Sequence, residues 1–244
     1  MIYASVSTIP PRIKEIRKSI DSLQKQTQKP DRIFINIPYT YRRFQNNISE
    51  NDIPIFEENE NVEITRCVDC GPGTKLLGSL NKLKKNSTII LADDDQIYED
   101  YMIEKLFYFC SLYPNNAYSF YVHPILDIGV GQGADGFAIN TNSLEGIEIF
   151  YDKVVKDYKE LFLYDDLWIS FFLTYYKKNK IFSLSNYLKK DANGNPTLIY
   201  KPHFSGSGLI STYAETIKEA VKKRDDIAKK SLVFMREKSK NLKI

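Results

Sequence analysis

Ile89-Ile90-Leu91-Ala92-Asp93-Asp94-Asp95 sets three adjacent carboxylates where a short apolar run stops. The apolar residues read as a buried strand. A packed core excludes three unpaired carboxylates, because burying each one is strongly unfavourable. The triplet must therefore face water, a cation, or both. In an open α/β sheet, ligands bind just beyond the carboxyl ends of the strands. A hard divalent cation takes carboxylate oxygens and keeps water and substrate phosphates as its other ligands. The chemistry open to this stretch is to hold a metal beside a phosphorylated substrate. The plain alternative is an acidic turn capping the next helix.

Asp165-Asp166 opens an aromatic-rich, helical stretch at 164–178. Acids favour helix N-termini, so capping alone accounts for the pair. The chemical reading is a general base, kept ionised at neutral pH by the helix dipole. Trp168, Phe171 and Phe172 read as core, with Trp168 also a candidate border of an acceptor pocket. His203 follows a proline in a polar loop. It becomes a candidate metal ligand once carboxylates elsewhere hold a metal.

Other motifs are weaker. Gly131-Gln132-Gly133-Ala134-Asp135-Gly136 has the letters of a dinucleotide fingerprint, but a strand-like run follows it where a helix is required. Glycines there suit close approach of backbone to a sugar. Gly71-Pro72-Gly73-Thr74-Lys75 lacks Walker spacing, yet it can bring helix-start N–H groups and a lysine to an anion. Gly206-Ser207-Gly208 is no nucleophile elbow, because Phe204 stands where the first glycine belongs. Cys67 and Cys70 form one CxxC without a second pair, and only His123 and His203 could complete a zinc site, so reduced structural thiols are expected.

The elements that must position these residues alternate. Strands are expected at 2–7, 32–37, 62–66, 88–92 and 117–122, and helices across 13–23, 74–85 and 100–113. That order argues an α/β domain with a mainly parallel sheet. Beyond it come a strand at 137–139, helical stretches around 143–157 and 164–178, and a turn at Asn193-Gly194 tipping a loop or hairpin at 186–200. Residues 201–208 are rich in glycine and serine. A long amphipathic helix over 212–236 carries Ile217, Val221, Ala228, Leu232 and Met235 on one stripe.

The chain has 244 residues, 43% hydrophobic, and its net charge of +3 is uneven. Residues 211–244 hold ten Lys/Arg against five Asp/Glu, while the first 210 hold 24 against 26. The body is thus not a nucleic-acid binder by composition. The basic C-terminal stretch is a candidate for peripheral contact with an anionic membrane. No apolar run approaches the ~20 residues that span a bilayer. The start, Met1-Ile2-Tyr3-Ala4, enters a strand without a signal-peptide pattern, so a reducing, cytoplasmic setting is expected.

Together these residues resemble a GT-A fold glycosyltransferase of the family 2-like kind. The first strand and Thr8-Ile9-Pro10-Pro11-Arg12 resemble the nucleotide-cradling start of that fold. Asp69 and Lys75 resemble its base-side and phosphate-side contacts. Asp93-Asp94-Asp95 resembles the DxD motif, whose last Asp holds the metal and whose first contacts ribose or metal-bound water. Gly133-Ala134-Asp135-Gly136 resembles the segment facing donor sugar and acceptor. Asp165-Asp166 resembles the xED motif with Asp166 in the base position, and departs from it in having Asp165 for the usual Glu. His203 resembles the C-terminal metal-binding histidine.

The resemblance spans residues 1–210, leaving 211–244 as a basic helical extension. It implies a metal-dependent, inverting transferase that moves sugar from a nucleoside-diphosphate donor, a UDP-sugar foremost, to a hydroxyl of a glycan or glycoconjugate. Asp95, Asp93 and His203 would hold Mn²⁺ or Mg²⁺. Thr8, Arg12, Asp69, Lys75, Asp93, Asp94 and Asp95 would hold the donor. Gly133, Ala134, Asp135 and Trp168 would meet sugar or acceptor, and Asp166, with Asp165, would do the proton chemistry. The segments 38–54, 120–135 and 186–200 are expected to shape specificity. Two rivals stand beside this reading. A sugar-phosphate nucleotidylyltransferase expects a glycine-rich basic loop after the first strand, and Thr8–Arg12 has no glycine. A non-catalytic sugar- or nucleotide-binding module would bind donor without turnover.

Overall fold

The computed structural model describes residues 1–57, 61–203 and 217–244, and side chains of the last stretch from Lys222 onward. In chain order, the first half comprises β1 (Ile2–Ser7), α1 (Ile16–Gln24), β2 (Arg32–Pro38), β3 (Val62–Cys67), α2 (Thr74–Leu77), β4 (Thr88–Leu91), β5 (Gln96–Tyr98) and α3 (Met102–Leu112). Then come β6 (Ala117–Ser119), β7 (Val122–Ile125), β8 (Ile128–Gly131), β9 (Phe137–Asn140), α4 (Ile147–Phe150), α5 (Lys159–Phe162) and α6 (Asp165–Tyr175). The last elements are β10 (Ile181–Ser183), β11 (Tyr200–Pro202) and α7 (Ile217–Ser239).

β1 is apolar along both faces because it lies inside the sheet, with β2 parallel on one side and β4 parallel on the other. β3 adds in parallel to β2. β9 runs antiparallel between β4 and β6, and β10 closes the far edge parallel to β6. The order of the seven strands is β10-β6-β9-β4-β1-β2-β3. This is the mainly parallel α/β architecture that the strand–helix alternation predicts.

Period-two alternation sorts the strand residues into two cores. Tyr3, Phe34, Ile89, Leu91, Phe137 and Ile139 face α6, with Trp168, Phe171 and Phe172 wholly or almost wholly buried. Ile2, Ala4, Val6, Ile33, Ile35 and Ile90 face α1 and α3. α7 joins the first core through Ala228, Leu232 and Met235, all at 0% exposure. That is the described part of the expected stripe. Ile217 and Val221, as side chains, and residues 204–216, including Gly206-Ser207-Gly208, lie outside the described residues.

Three elements differ from expectation. The single helix over 74–85 is instead α2 and a 3₁₀ turn at Leu80–Lys82. Gly78 packs directly on Asn36, where a Cβ would sit 2.7 Å from Oδ1. The leucine spacing reported burial, not continuity. The strand over 117–122 stops at Ser119, and Val122 begins the β7–β8 hairpin. The helical stretch around 143–157 is α4 running into a π-helical turn, Tyr151–Val155.

Candidate active site

Parallel pairing sends the carboxyl ends of β1, β3 and β4 to one edge, so the segments that follow them deliver Thr8 and Arg12, Asp69, and Asp93–Asp95 to the same place. β9 is antiparallel, and Phe137 pairs with Leu91. The 3₁₀ turn before it, Gly133–Asp135, therefore arrives at that edge too. α2 begins there with Lys75, and α6 with Asp165 and Asp166. The segments carrying Thr8, Arg12, Asp69, Lys75, Asp93–Asp95 and Asp165-Asp166 line a cleft of about 360 Å³, while Gly133, Ala134 and Asp135 do not line it and Gly133 packs against Lys75, Asp93 and Asp166.

Two cations organise the carboxylates. Arg12 forks onto the acidic turn, with Nη1 2.7 Å from Asp94 Oδ1 and Nη2 2.9 Å from Asp95 Oδ2. The Lys75 ammonium pairs with Asp93 and stands 3.3 Å from Asp165. Burial disfavours that ammonium, but Asp165 and Asp93 more than reverse the effect and hold its pKa well above the ordinary lysine value. Lys75 is set in place from below. Ser5 Oγ donates to its carbonyl at 2.5 Å, and Asn36 Nδ2 donates to Ser5 Oγ at 2.8 Å.

The carboxylates remain in excess. Burial, then Asp93, pushes Asp95 up to about 6. Burial, again with Asp93, pushes Asp135 up to about 7. Asp165 is raised by burial, partly relieved by Lys75. Asp166 is raised well above the carboxylate range by burial and then by Asp165, against which Lys75 and the Gly133 N–H, donating at 3.0 Å, act only in part. Burial and the Asp165 charge both favour protonated Asp166, which opposes the helix-dipole effect that the sequence reading relied on. Gly133 is what allows so tight a cluster. A Cβ there would sit 2.7 Å from Lys75 Nζ and 3.2 Å from Asp93 Oδ1.

Thr8, Arg12, Asp69, Lys75, Asp93, Asp94, Asp95, Asp165 and Asp166 all line the cleft. Asp69 also organises its own turn, accepting the Arg42 N–H at 2.7 Å and the Gly71 N–H at 2.8 Å. Gly133 lies against the carboxylate cluster, with Ala134 and buried Asp135 in the same turn. Trp168 does not line the cleft. Its side chain is wholly buried beneath Gly73 and beside Tyr151, so it supports the cleft from behind rather than bordering an acceptor. His203 does not line the cleft either. Its N–H donates to the Asp95 carbonyl at 3.0 Å, and its Nε2 lies 2.9 Å from Ser19 Oγ of α1. Cys67, Cys70 and Cys110 are free thiols, and burial pushes Cys67 up to about 12.

Sequence reasoning passed over several residues. Tyr98 accepts the Asp93 N–H at 2.7 Å and so fixes the first residue of the acidic turn. From the 38–54 segment come Tyr41, whose hydroxyl donates to the Thr8 carbonyl at 3.0 Å, and Arg43 and Phe44. Arg224, on α7, also lines the cleft. A signal for it was present. Arg224 sits four residues before Ala228, so a charge interrupts the apolar stripe on the face that packs inward.

Among the described residues, no three His, Cys, Asp or Glu side chains are grouped as a ready metal cage. The donor chemistry nonetheless fits a hard divalent cation. Asp95 and Asp93 offer carboxylate oxygens crowded enough to lift Asp95 to about 6, a penalty that a bound cation relieves. His203 is held toward its neutral form, first by burial, and its buried Nδ1 has no hydrogen-bond partner among the described residues. Asp95, Asp93 and, once its ring leaves Ser19, His203 are the residues that could hold such a cation.

No protein-family model matches the chain, and no curated protein matches it by sequence. Solved structures match it in shape. A mannosyltransferase from Pyrobaculum calidifontis, in complex with GDP-Man and Mn²⁺, aligns with TM-score 0.55 at 11% identity, over 97% of this chain and 73% of that one. S. aureus TarS, in complex with UDP-GlcNAc, aligns with TM-score 0.55 at 13% identity, over 98% of this chain and 72% of the TarS chain. A cytidylyltransferase from Francisella tularensis reaches TM-score 0.47 at 11% identity, over 75% and 89% of the two chains, which is too loose to argue from. Likeness at such identities establishes the fold alone. It is the GT-A-like α/β fold, with a mostly parallel sheet and the cleft at the carboxyl edge.

Proposed function

We propose that this chain is a glycosyltransferase that moves a sugar from a nucleoside-diphosphate donor, a UDP-sugar foremost, to a hydroxyl of a glycan or glycoconjugate, with inversion at the anomeric carbon. The observation that carries the reading is the single cleft in which an arginine-clamped acidic turn and a raised-pKa carboxylate pair meet across Lys75. The two neighbours at TM-score 0.55 support it, since both are complexes with a nucleotide sugar.

In this reading Thr8, Arg12, Asp69, Lys75, Asp93 and Asp94 hold the donor, and Asp95, Asp93 and His203 hold Mn²⁺ or Mg²⁺. When bound, the cation offsets charge on the departing diphosphate. Asp166 accepts the proton of the acceptor hydroxyl while that oxygen bonds to the anomeric carbon. The bond from that carbon to the diphosphate oxygen breaks, and its electron pair leaves with the diphosphate. A base whose pKa is raised toward the working pH accepts that proton better than an ordinary carboxylate. Asp165, held by Lys75, orients the pair. The Gly133–Asp135 turn faces the transferred sugar.

A panel of nucleotide sugars scored by thermal shift, with and without Mn²⁺, tests the reading. A ligand at about 100 times its Kd should stabilise the protein by about 2.7 kcal/mol. Release of nucleoside diphosphate on turnover supports glycosyl transfer. Pyrophosphate release would mean nucleotidyl transfer, and binding without turnover would mean a binding module.

A further inference from the structure

Among the described residues, Arg224 is the one that α7 contributes to the cleft, and the fold fixes its place. Behind it Ala228, Leu232 and Met235 are fully buried, Phe234 stacks on Tyr158 at 4.1 Å, and Arg236 pairs with Asp127 of the β7–β8 hairpin. Its neighbour Asp225 bonds His123 of β7 at 3.1 Å, so that carboxylate is already occupied. Arg224 lines the cleft, as do Leu163, Tyr164 and Asp166 at the start of α6. Its positive charge is felt by the Tyr164 hydroxyl.

The other cations differ from it in one respect. Arg12 is held by Asp94 and Asp95, and Lys75 by Asp93 and Asp165. Arg224 makes no ion pair among the described residues, and its buried Nε has no hydrogen-bond partner. A buried, unpaired guanidinium donor is unfavourable unless something arrives to accept from it. A guanidinium fork suits phosphate and carboxylate oxygens. Its position decides between the two substrates. In an inverting transfer the base lies on the face of the sugar away from the leaving diphosphate, and Arg224 acts on Tyr164, the residue that leads into Asp165 and Asp166 at the head of α6.

We infer that Arg224 is an acceptor-recognition residue, and that the acceptor hydroxyl belongs to a molecule bearing an anionic group, a phosphate ester or a carboxylate, which this guanidinium binds. The inference rests on the assignment of Asp166 to the acceptor side of the cleft. It makes α7 part of the substrate site, where sequence reading took it as an extension with a solvated or lipid-facing basic surface.

The test uses the full chain and three small probes: glycerol 3-phosphate, glycerate and neutral glycerol. Ligand-observed NMR measures their binding to the wild type, Arg224→Lys and Arg224→Gln, with no nucleotide present. Calorimetry measures UDP with Mn²⁺ on the same proteins. At least one anionic probe should bind the wild type about tenfold more tightly than glycerol and lose about tenfold in Arg224→Gln, with Arg224→Lys between. Whether glycerol 3-phosphate or glycerate does so tells phosphate from carboxylate. UDP binding should change less than about twofold, well short of a lost charge-assisted bond. The inference is overturned if neither anion binds better than glycerol, or if Arg224→Gln binds them as the wild type does. It is also overturned if Arg224→Gln weakens UDP instead, which would put the guanidinium on the donor. Absence of UDP binding to every protein would count against the glycosyltransferase reading alone, since the anion probes are read without nucleotide.

Discussion

The acidic turn after β4 and the acidic pair at the head of α6 are built from the same side chain in adjacent positions, yet they are neutralised differently. On the turn, one planar guanidinium reaches two carboxylates at once, at 2.7 and 2.9 Å. At the helix, the cation is an ammonium at 3.3 Å from Asp165, shared with Asp93, and Asp166 is left with a backbone N–H at 3.0 Å. A fork reaches both carboxylates of a neighbouring pair, yet Asp95 is still held up at about 6, so the turn keeps charge for a cation to offset. The turn is thereby fixed in shape and ready to meet a cation. The helix pair keeps one carboxyl whose proton is held up by desolvation and by its neighbour. Under the proposed function the first region binds and the second transfers the proton, and the variants below test that division.

The largest effect is expected at Asp166. Asp166→Asn keeps the shape and removes the basicity, and should lower kcat by about 10²–10⁴ while leaving UDP and Mn²⁺ binding nearly unchanged. Asp165→Asn should cost less, because Asp165 acts by orienting. In the wild type, the acid limb of the kcat profile should fall at a pH above the ordinary carboxylate range, since protonating Asp166 removes the base. Turnover near wild type in Asp166→Asn, at saturating donor and acceptor, would end the division.

Lys75 joins the two regions, so its loss should damage both. Lys75→Met leaves Asp93 and Asp165 facing a cleft without their cation, and removing one member of a buried pair costs about 3–5 kcal/mol. Urea denaturation measures that loss. A drop below about 1 kcal/mol, the scale of an exposed pair, would mean that the cleft is wetter than its 5% exposure of Lys75 implies.

Asp95→Asn sharpens the turn's half of the comparison. It should abolish the Mn²⁺ dependence of UDP binding. It should also raise the melting temperature of the metal-free protein, because the carboxylate it removes is held up at about 6 by burial and Asp93. Tighter folding with lost binding is the pattern of a site under electrostatic strain. Unchanged Mn²⁺ dependence would reject the assignment.

The mainly parallel α/β architecture and the acidic turn were legible because they rest on short-range regularities. Alternation of strand and helix gave the parallel sheet, and three carboxylates after an apolar run marked a strand's carboxyl end. Gly78 shows where legibility stopped. It ends α2 because it touches Asn36, forty-two positions earlier in the chain, and no local pattern holds that contact. Ser5 and Asn36 support the site through similarly remote bonds, whereas Tyr98 reaches Asp93 from five residues along the chain. His203 was found by residue type, but its ring direction depends on Ser19. Trp168 was placed both in the core and at a pocket's rim, and only packing under Gly73 separates the two. That 211–244 is an extension was read from charge and from where the resemblance ends, and its apolar stripe gave the packing face at Ala228, Leu232 and Met235 but not the cleft position of Arg224.

The smallest effect comes from Asp135, which stands between the two regions and feels Asp93. In the unfolded chain an Asp loses its proton near pH 4, at about 3.9. In the fold Asp135 holds it up to about 7, through burial and then the Asp93 charge. Between those values the folded state binds more protons than the unfolded one, so stability falls as pH rises through the window. The loss is complete above the folded pKa. Three units correspond to about 4 kcal/mol at the limit, and relaxation with water entry leaves about 1–2 kcal/mol as the expected fall. Urea midpoints of the metal-free protein, taken between about pH 5 and about pH 8, should show this decline. Asp135→Asn cannot ionise. It should remove the Asp135 share of the slope, leaving that of Asp95 and the helix pair, and be the more stable protein at the alkaline end, with little change at the acid end. If the slope survives intact in Asp135→Asn, the crowding that the cleft relieves by binding a cation lies wholly in the acidic turn and the helix pair. Asp135 would then titrate as it does in the unfolded chain, or outside this window.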